Sequence, residues 1–138
     1  MKVWVILAGF LVSTSALAAE DINKADWYSL NYGVAGAVKA GAASSCKLTI
    51  KPAAGHVLKT ETPFKAMLTG SDGVKVEKEK YTSKDFEDPK SAQKSIQTKF
   101  TAAAAGKHTL KAALTFFVCN DEVCKRFKDK ADCAVEAK

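Results

Sequence analysis

The sequence lacks the motifs that mark the common enzyme classes. It has no nucleophile elbow, no phosphate-binding glycine loop, no HExxH zinc motif and no pair of carboxylates in a catalytic setting. It also contains no internal repeat and no long amphipathic helical pattern. The enzyme classes that these motifs define therefore have little support, and no cofactor or resident metal is expected.

Long apolar runs are equally scarce. Residues 3–12 form an apolar run of about ten residues, well short of the roughly 20 that a membrane-spanning helix needs, and no later run is long enough either. Lys2 precedes this run and the small-x-small signal Ala16-Leu17-Ala18 follows it, which predicts a secretory signal peptide over residues 1–18. No cysteine lies at the cleavage point, so lipid attachment is not expected. We expect a periplasmic or secreted protein without stable membrane insertion after cleavage, in a compartment where disulfides persist.

The charge is basic but mixed in sign. Lysine and arginine total 21 against 15 acidic residues, a formal net charge of +6. Lysines are interleaved with glutamates in residues 75–80, a pattern typical of a solvated face. No aromatic-plus-basic platform or DNA-binding helix motif accompanies the charge, so nucleic acid is not an expected partner.

The chain after the signal peptide divides into a lead and one domain. About 120 residues remain after cleavage, enough for a single hydrophobic core. Residues 19–44 are an Ala/Gly-rich amino-terminal lead, for which we expect a short helical or irregular segment and then a weak first strand or a flexible stretch. Residues 45–138 are expected to form the folded domain.

Alternation of apolar and polar residues with period two predicts a series of short strands. They are expected at residues 46–51, 63–69, 74–81, 95–100, 108–118 and 134–137. Residues 82–92 contain Pro89 and several acids and are expected to form a surface loop. Six or seven short strands without a long helix indicate an all-β antiparallel β-sandwich.

Two cysteines lie in the densest apolar stretch of this domain. Residues 114–118 are apolar or β-branched and lead into Cys119, and four residues separate it from Cys124. The pattern predicts a strand, a tight reversal and a returning strand, with the cysteines opposite each other at the neck of the hairpin. Opposed Cα atoms there lie roughly 4.5 to 5.5 Å apart, within reach of a disulfide. Cys119 and Cys124 are therefore the candidate catalytic pair.

Cys46 and Cys133 lie near the two ends of the domain. Four cysteines allow three pairings. A bond between Cys46 and Cys133 would tie the ends together, and chain entropy assigns it roughly 4.6 kcal/mol of stabilisation against about 2.2 kcal/mol for the short loop between Cys119 and Cys124. The long bond is the expected structural disulfide, whereas the short one lies at a hairpin tip that an attacking thiolate can reach.

The residues beside the hairpin pair affect its reactivity in opposite directions. Asp121 and Glu122 disfavour a thiolate, whereas Lys125 and Arg126 favour one. In an exchange, either cysteine can be attacked by a partner thiolate, and the other then resolves the mixed disulfide. The spacing does not assign these two roles.

Residues 116–124, with the sequence FFVCNDEVC, resemble the cysteine hairpin in the amino-terminal domain of the DsbD thiol:disulfide interchange proteins. Gly55-His56 and Pro63-Phe64 also resemble elements of that domain, and the resemblance covers roughly residues 45–137. It implies a periplasmic immunoglobulin-like sandwich whose hairpin cysteines shuttle electrons by thiol-disulfide exchange. The implied partners are thioredoxin-like or other periplasmic thiol-disulfide proteins.

Two other interpretations of the cysteines stay open. In the first, both disulfides are structural, and the protein is a non-enzymatic exported binding or interaction module. In the second, Cys119 and Cys124 bind zinc or copper together with His56 or His108. The C-x4-C spacing is wider than that of the usual zinc knuckle, and both histidines have an alternative interpretation as half-buried or surface residues.

The aromatic residues around the hairpin also have two interpretations. Phe116, Phe117 and Phe127 are candidates for shielding the disulfide from unwanted thiols, as a mobile loop does in the DsbD family. Core packing is the alternative, and we expect it for Phe116. Residues 82–92 are the candidate shielding loop, because their composition is typical of a mobile segment.

Overall fold

The structure of the protein is a computed structural model that describes residues 24–138. The predicted signal peptide, residues 1–18, lies outside the described residues. Within residues 24–138, no helix is long and apolar enough to cross a membrane.

Eight β-strands and two short 3-10 helices make up the regular structure of the described chain. The strands are β1 (Tyr28–Val34), β2 (Ala43–Pro52), β3 (Lys65–Gly70), β4 (Val74–Val76), β5 (Lys80–Thr82), β6 (Lys94–Ala102), β7 (Gly106–Cys119) and β8 (Cys124–Ala137). The helices are Lys24–Asp26 and Ser83–Asp85. Thr82 and Asp85 cap the second helix: the Thr82 hydroxyl accepts from the amide of Lys84, and the Asp85 carboxylate accepts from the amide of Thr82.

The strands form two four-stranded antiparallel sheets that pack around one core. Sheet one has the order β1-β2-β6-β4, and sheet two has the order β5-β3-β7-β8. The predicted all-β antiparallel sandwich is therefore confirmed. The orders β1-β2-β6-β4 and β3-β7-β8 match the two sheets of an immunoglobulin constant-type domain, with β5 as an added edge strand.

One predicted strand is divided between the two sheets. Residues 74–81 contain both β4, which pairs with β6 in sheet one, and β5, which pairs with β3 in sheet two. The charged residues 77–79 between them are all exposed. Because this stretch has no apolar side chain to bury, the chain leaves one sheet there and crosses to the other. The single strand predicted over residues 74–81 is therefore wrong.

The two longest strands, β7 and β8, have 14 residues each and form one hairpin. The strand predicted at residues 108–118 is confirmed within β7. The strand predicted at residues 134–137 is only the end of β8, which begins at Cys124. The strand predicted to return from Cys124 after the hairpin turn is confirmed as the start of β8, with Cys119 opposite Cys124. The middle of β8 was not predicted, because its inward positions include the charged residue Asp129, which conceals the alternation.

Strand β1 lies within the predicted lead, residues 19–44, and pairs along its whole length with β2. Tyr28 is buried against Phe116 and Phe127, with ring centroids 4.9 and 5.0 Å away. Its hydroxyl donates a 2.6 Å hydrogen bond to Asp129. Part of the lead is thus an edge strand of the sandwich, anchored by an aromatic side chain.

The core lies between the sheets and follows the alternation of β7. The inward residues of that strand are all buried: Leu110, Ala112, Leu114, Phe116 and Val118. Burying each large apolar side chain contributes roughly 1.5–3 kcal/mol. Cys46 of β2 is bonded to Cys133 of β8, with both residues fully buried and their Cα atoms 6.6 Å apart. This disulfide joins the two sheets across the core.

Candidate functional site

The candidate site is the tip of the hairpin between β7 and β8. Cys119 ends β7, Cys124 begins β8, and a disulfide joins them with Cα atoms 3.9 Å apart. In the turn between them, the amide of Asn120 donates to the carbonyl of Val123. The side-chain oxygen of Asn120 accepts from the amides of Glu122 and Val123, at 2.9 and 2.8 Å. Side-chain and backbone hydrogen bonds therefore hold the turn independently of the disulfide.

The two bonded cysteines differ sharply in exposure. Cys119 is 0% exposed, whereas Cys124 is exposed. Cys119 is enclosed because it lies between Cys124 and Val57: its amide and carbonyl each form a 2.8 Å hydrogen bond with the carbonyl and amide of Val57. Cys124 begins an edge strand and has only Cys119 opposite it. Solvent and a partner thiolate therefore approach the disulfide from the Cys124 side.

An aromatic cluster supports the inner side of the hairpin. The ring of Trp27 lies 4.6 Å from His56 and 5.7 Å from Phe127. The ammonium of Lys125 lies 4.9 Å from the Trp27 ring centroid, a cation–π contact. This contact holds Lys125 on the inner side of β8, while strand alternation directs Arg126 to the outer side with the cysteines. Of the two predicted activating cations, Arg126 is therefore the one on the cysteine face.

The row next to the cysteines on the outer face consists of Phe117 and Arg126, which lie directly opposite each other. Together with Pro63, Lys65 and Thr115 they line an open groove of about 380 Å³. Phe117 is half-buried there. The groove therefore presents one aromatic side chain and two cations immediately below the disulfide.

The three aromatic candidates for shielding have different environments. Phe116 and Phe127 are buried in the core, as expected for Phe116, and only Phe117 shares the outer face with the disulfide. Residues 82–92 contain the second 3-10 helix and Phe86, which packs 4.9 Å from Phe64 in the core. The segment that bonds to Cys119 is instead the connection between β2 and β3, through Val57.

The two histidines lie at opposite ends of β7. His56 precedes Val57 beside Cys119, and its Nδ1 lies 3.0 Å from the carbonyl of Ala54. His108 lies near the start of β7, with its Nε2 2.8 Å from the carbonyl of Ala104. The structure therefore does not bring both histidines to the cysteines. Within residues 24–138, no three His, Cys, Asp or Glu side chains are grouped so that they could hold a metal ion.

Sequence reasoning missed two residues of the site, Trp27 and Val57. Trp27 belongs to the predicted lead, and nothing local indicates that its ring meets the hairpin. Val57-Leu58 is a short apolar pair between the strands predicted at residues 46–51 and 63–69, and the complete burial of Leu58 explains why the chain returns to the sheet there. This apolar pair is the one signal in the sequence that points to the contact.

Neither the comparison with protein-family models nor the search of curated proteins finds a match for this chain. A function is therefore inferred from its own residues and their geometry.

Proposed function

We propose that the protein exchanges disulfides with partner proteins through Cys119 and Cys124. The observation that carries the proposal is the difference in exposure between the bonded cysteines: Cys124 is exposed on an edge strand, and Cys119 is fully buried. Thiol-disulfide exchange needs one sulfur that an incoming thiolate can reach. A purely structural bond gains nothing from such exposure.

The exposure difference supports a division of the two roles that the spacing leaves open. A thiolate of a partner dithiol attacks the sulfur of Cys124, the bond between Cys124 and Cys119 breaks, and Cys119 leaves as a thiolate that takes up a proton. The second thiolate of the partner then attacks the partner sulfur in the mixed disulfide and releases Cys124. The partner is oxidised to a disulfide and the hairpin is reduced to two thiols, a transfer of two electrons and two protons.

The hairpin bond contributes less to the stability of the fold than the other disulfide does. Hydrogen bonds to Asn120 hold the turn, and the strand pairing continues for the length of β7 and β8. In the chain-entropy model a loop this short contributes only about 2.2 kcal/mol. Cys46–Cys133 spans 87 residues and joins the two sheets, so we assign the structural role to that bond.

The proposal also includes the compartment and the partner proteins. The signal-peptide pattern of residues 1–18 and the use of all four cysteines in disulfides suit an exported, periplasmic protein. The likeness of residues 116–124 to the DsbD hairpin supports thioredoxin-like or other thiol-disulfide proteins as partners. We propose that the chain is a relative of that amino-terminal domain.

The competing function is a non-enzymatic binding module in which both disulfides are structural. The observation that favours it is the complete burial of Cys119 together with its two hydrogen bonds to Val57. These features protect one sulfur of the pair. They leave Cys124 accessible, which is why we place this function second.

A redox titration distinguishes the two functions. The protein is equilibrated in glutathione and dithiothreitol buffers, and its free cysteines are alkylated and mapped by mass spectrometry. We expect Cys119 and Cys124 to open at a potential above about −300 mV while Cys46 and Cys133 stay bonded. If both bonds resist reduction together below that value, the exchange function is wrong and the binding module takes its place.

A further inference from the structure

The outer face of sheet two carries a group of cations beside the disulfide. We define the basic face by five side chains, all exposed: Lys65, Lys80, Arg126, Lys128 and Lys130. Strand alternation directs them to the same side as Cys119 and Cys124. The first lies on β3, the second on β5 and the other three on β8.

The strand register places these cations in rows that lead to the hairpin tip. Across the strands the rows are Lys80-Met67-Ala113-Lys130, then Lys65-Thr115-Lys128, then Phe117-Arg126, and finally Cys119-Cys124. Neighbouring strands are about 4.8 Å apart and alternate residues along a strand about 6.8 Å apart. The five charges therefore share one compact surface that ends at the disulfide.

No cation of the basic face has a carboxylate opposite it in this register. At the other end of the same face, lysines do have carboxylates opposite them: Lys111 lies opposite Asp132, and Lys107 lies opposite Glu136. The ion pairs found among residues 24–138 use other cations, namely Lys24, Lys47 and Lys78. Asp129, between Lys128 and Lys130 in sequence, is directed inward and bonds to the Tyr28 hydroxyl. Asp132 lies two residues after Lys130 on the same face and lines the same groove as that lysine, but the rows of the other four cations contain no carboxylate.

The floor between the cations is apolar or small. Met67 is 36% exposed at its centre, and Ala113 beside it is also exposed. Towards the disulfide the floor continues as the groove that Pro63 and Phe117 line. An extended segment lying on this floor could contact apolar groups while its own charges meet the cations at the margins.

Arg126 indicates which charge that segment carries. It is the only arginine in the sequence and lies one row from the exposed Cys124. A guanidinium binds carboxylates through two parallel hydrogen bonds, with more directional specificity than an ammonium. An arginine at this position suits a carboxylate close to the reacting sulfur of a partner.

We propose that the basic face is the docking surface for an acidic thiol-disulfide partner, one whose reactive cysteine is flanked by aspartate or glutamate. This inference rests on the proposed exchange function. Complementary charge raises the rate of encounter and fixes orientation, so docking on this face brings the partner thiolate to Cys124. Arg126 binds a carboxylate next to the partner cysteine, and the lysines attract the charges further along.

The test measures how fast synthetic cysteine peptides reduce the hairpin bond of the oxidised full-length protein. Three peptides of equal length carry acidic, uncharged or basic residues on both sides of one cysteine. Rates are expressed per thiolate and divided by the rate at which each peptide reduces a small uncharged disulfide, because a thiolate of higher pKa is also a stronger nucleophile. We expect the acidic peptide to react about tenfold faster than the uncharged one at low salt. The advantage should fall to about twofold or less at 0.5 M salt, because ions screen exposed charges.

Charge-reversal variants test whether the basic face causes the preference for the acidic peptide. Arg126→Glu combined with Lys128→Glu should abolish the preference for the acidic peptide and favour the basic one. Lys75→Glu combined with Lys99→Glu is the matched control, since it makes the same change in net charge on exposed positions of sheet one. Arg126→Gln with Lys128→Gln serves if the reversed variant is poorly folded, and it should remove the preference without inverting it. Dithiothreitol carries only the charge of its attacking thiolate, so its rate should change far less than that of the acidic peptide between these variants and the unmodified protein.

The outcomes separate this inference from the proposed function. If neither the peptides nor dithiothreitol reduces the hairpin bond selectively, the exchange function itself fails. If all three peptides reduce the bond at the same rate per thiolate, exchange stands and the acidic docking surface is overturned. Binding to phosphatidylglycerol vesicles that the sheet-two variants abolish, without any peptide preference, would also overturn it and assign the basic face to a membrane surface.

Discussion

Cys119 and Val57 exchange two backbone hydrogen bonds, each 2.8 Å long. Val57 belongs to the connection between β2 and β3, so an irregular segment covers the edge of β7 where the candidate site lies. Irregular connections between strands open locally at a lower free-energy cost than the centre of a sheet does. The bridge between Val57 and Cys119 is therefore the part of the site that we expect to open first.

Replacing Val57 with proline tests this bridge. Proline has no N–H, so Val57→Pro removes the bond donated to Cys119. We expect the Cys119 amide to exchange with deuterium roughly tenfold faster, which corresponds to about 1.4 kcal/mol of lost protection. Reduction of the hairpin bond by dithiothreitol should accelerate severalfold.

Val57→Ala is the control for the bridge, because it keeps both backbone bonds and removes only a side chain that is 41% exposed. It should leave the exchange of the Cys119 amide close to that of the unmodified protein. Equal acceleration in the proline and alanine variants would mean that the side chain, not the backbone bridge, protects the cysteine.

The two disulfides should differ in their effect on stability. Removing Cys46–Cys133 with alanines should lower the free energy of unfolding by about 4.6 kcal/mol, because the bond closes a long loop. Removing Cys119–Cys124 in the same way should cost only about 2.2 kcal/mol, since its loop is short. Urea unfolding of the oxidised variants at 25 °C measures both values. A larger loss for the short bond would argue that the hairpin disulfide is the structural one.

The hairpin could be predicted because its signals are local. The alternation of β7 and the two cysteines around a short turn lie within a single stretch of sequence, and antiparallel pairing follows directly from them. The middle of β8 was missed because charged residues, Lys125 and Asp129, occupy inward positions of this strand. Their partners, Trp27 and Tyr28, come from the first described residues of the chain. Contacts between residues so distant in sequence are not visible in a local pattern.

The basic face could not be predicted for a related reason. Lys128-Asp129-Lys130 has alternating signs and looks like a neutral, solvated segment in the sequence. In a strand, alternate residues point to opposite faces, so both lysines lie outside while the aspartate lies inside. Strand alternation thus places on opposite faces of the sheet the charges that appear mixed in the sequence. The cross-strand register then brings Lys65 and Lys80, from other strands, to the face that carries Lys128 and Lys130.

The buried lysine of β6 should be important for stability. Lys94 is 5% exposed, and its ammonium donates hydrogen bonds to the carbonyls of Pro89, at 2.7 Å, and of Ser91. Lys94→Met keeps the apolar stem but leaves both carbonyls without this donor. We expect a loss of about 1–3 kcal/mol in unfolding free energy and faster proteolytic cleavage within residues 86–93.

Lys90→Met is the matched substitution in the same connection, at an exposed position. Its effect on unfolding free energy should stay within about 0.5 kcal/mol. If the two substitutions destabilise the protein equally, the ammonium of Lys94 does not hold the connection in place.

A half-buried tyrosine should make the fold sensitive to high pH. The hydroxyl of Tyr32 lies 2.7 Å from Thr98, whose own hydroxyl donates to the carbonyl of Cys46, so Tyr32 acts as the donor. Burial raises the pKa of Tyr32 from 10.0 to about 12, an increase that its hydrogen bond to Thr98 only partly offsets. Loss of the phenolic proton would leave a half-buried charge, and a hydrogen bond from the Thr98 hydroxyl only partly offsets its loss of hydration.

The direction of the pH effect follows from this raised pKa. Below pH 10 the tyrosine is neutral in both the folded and the unfolded chain, and stability should not depend on it. Between pH 10 and about pH 12 the unfolded chain loses the proton while the folded one keeps it, so the free energy of unfolding falls as the pH rises.

Tyr32→Phe should be about 1 kcal/mol less stable at pH 8, because it lacks the hydrogen bond, and should lose less stability above pH 10. Urea unfolding at pH 8, 10 and 11.5 measures both slopes, with Tyr28 and Tyr81 contributing equally to each protein. Parallel slopes for the two proteins would show that Tyr32 does not keep its proton on folding.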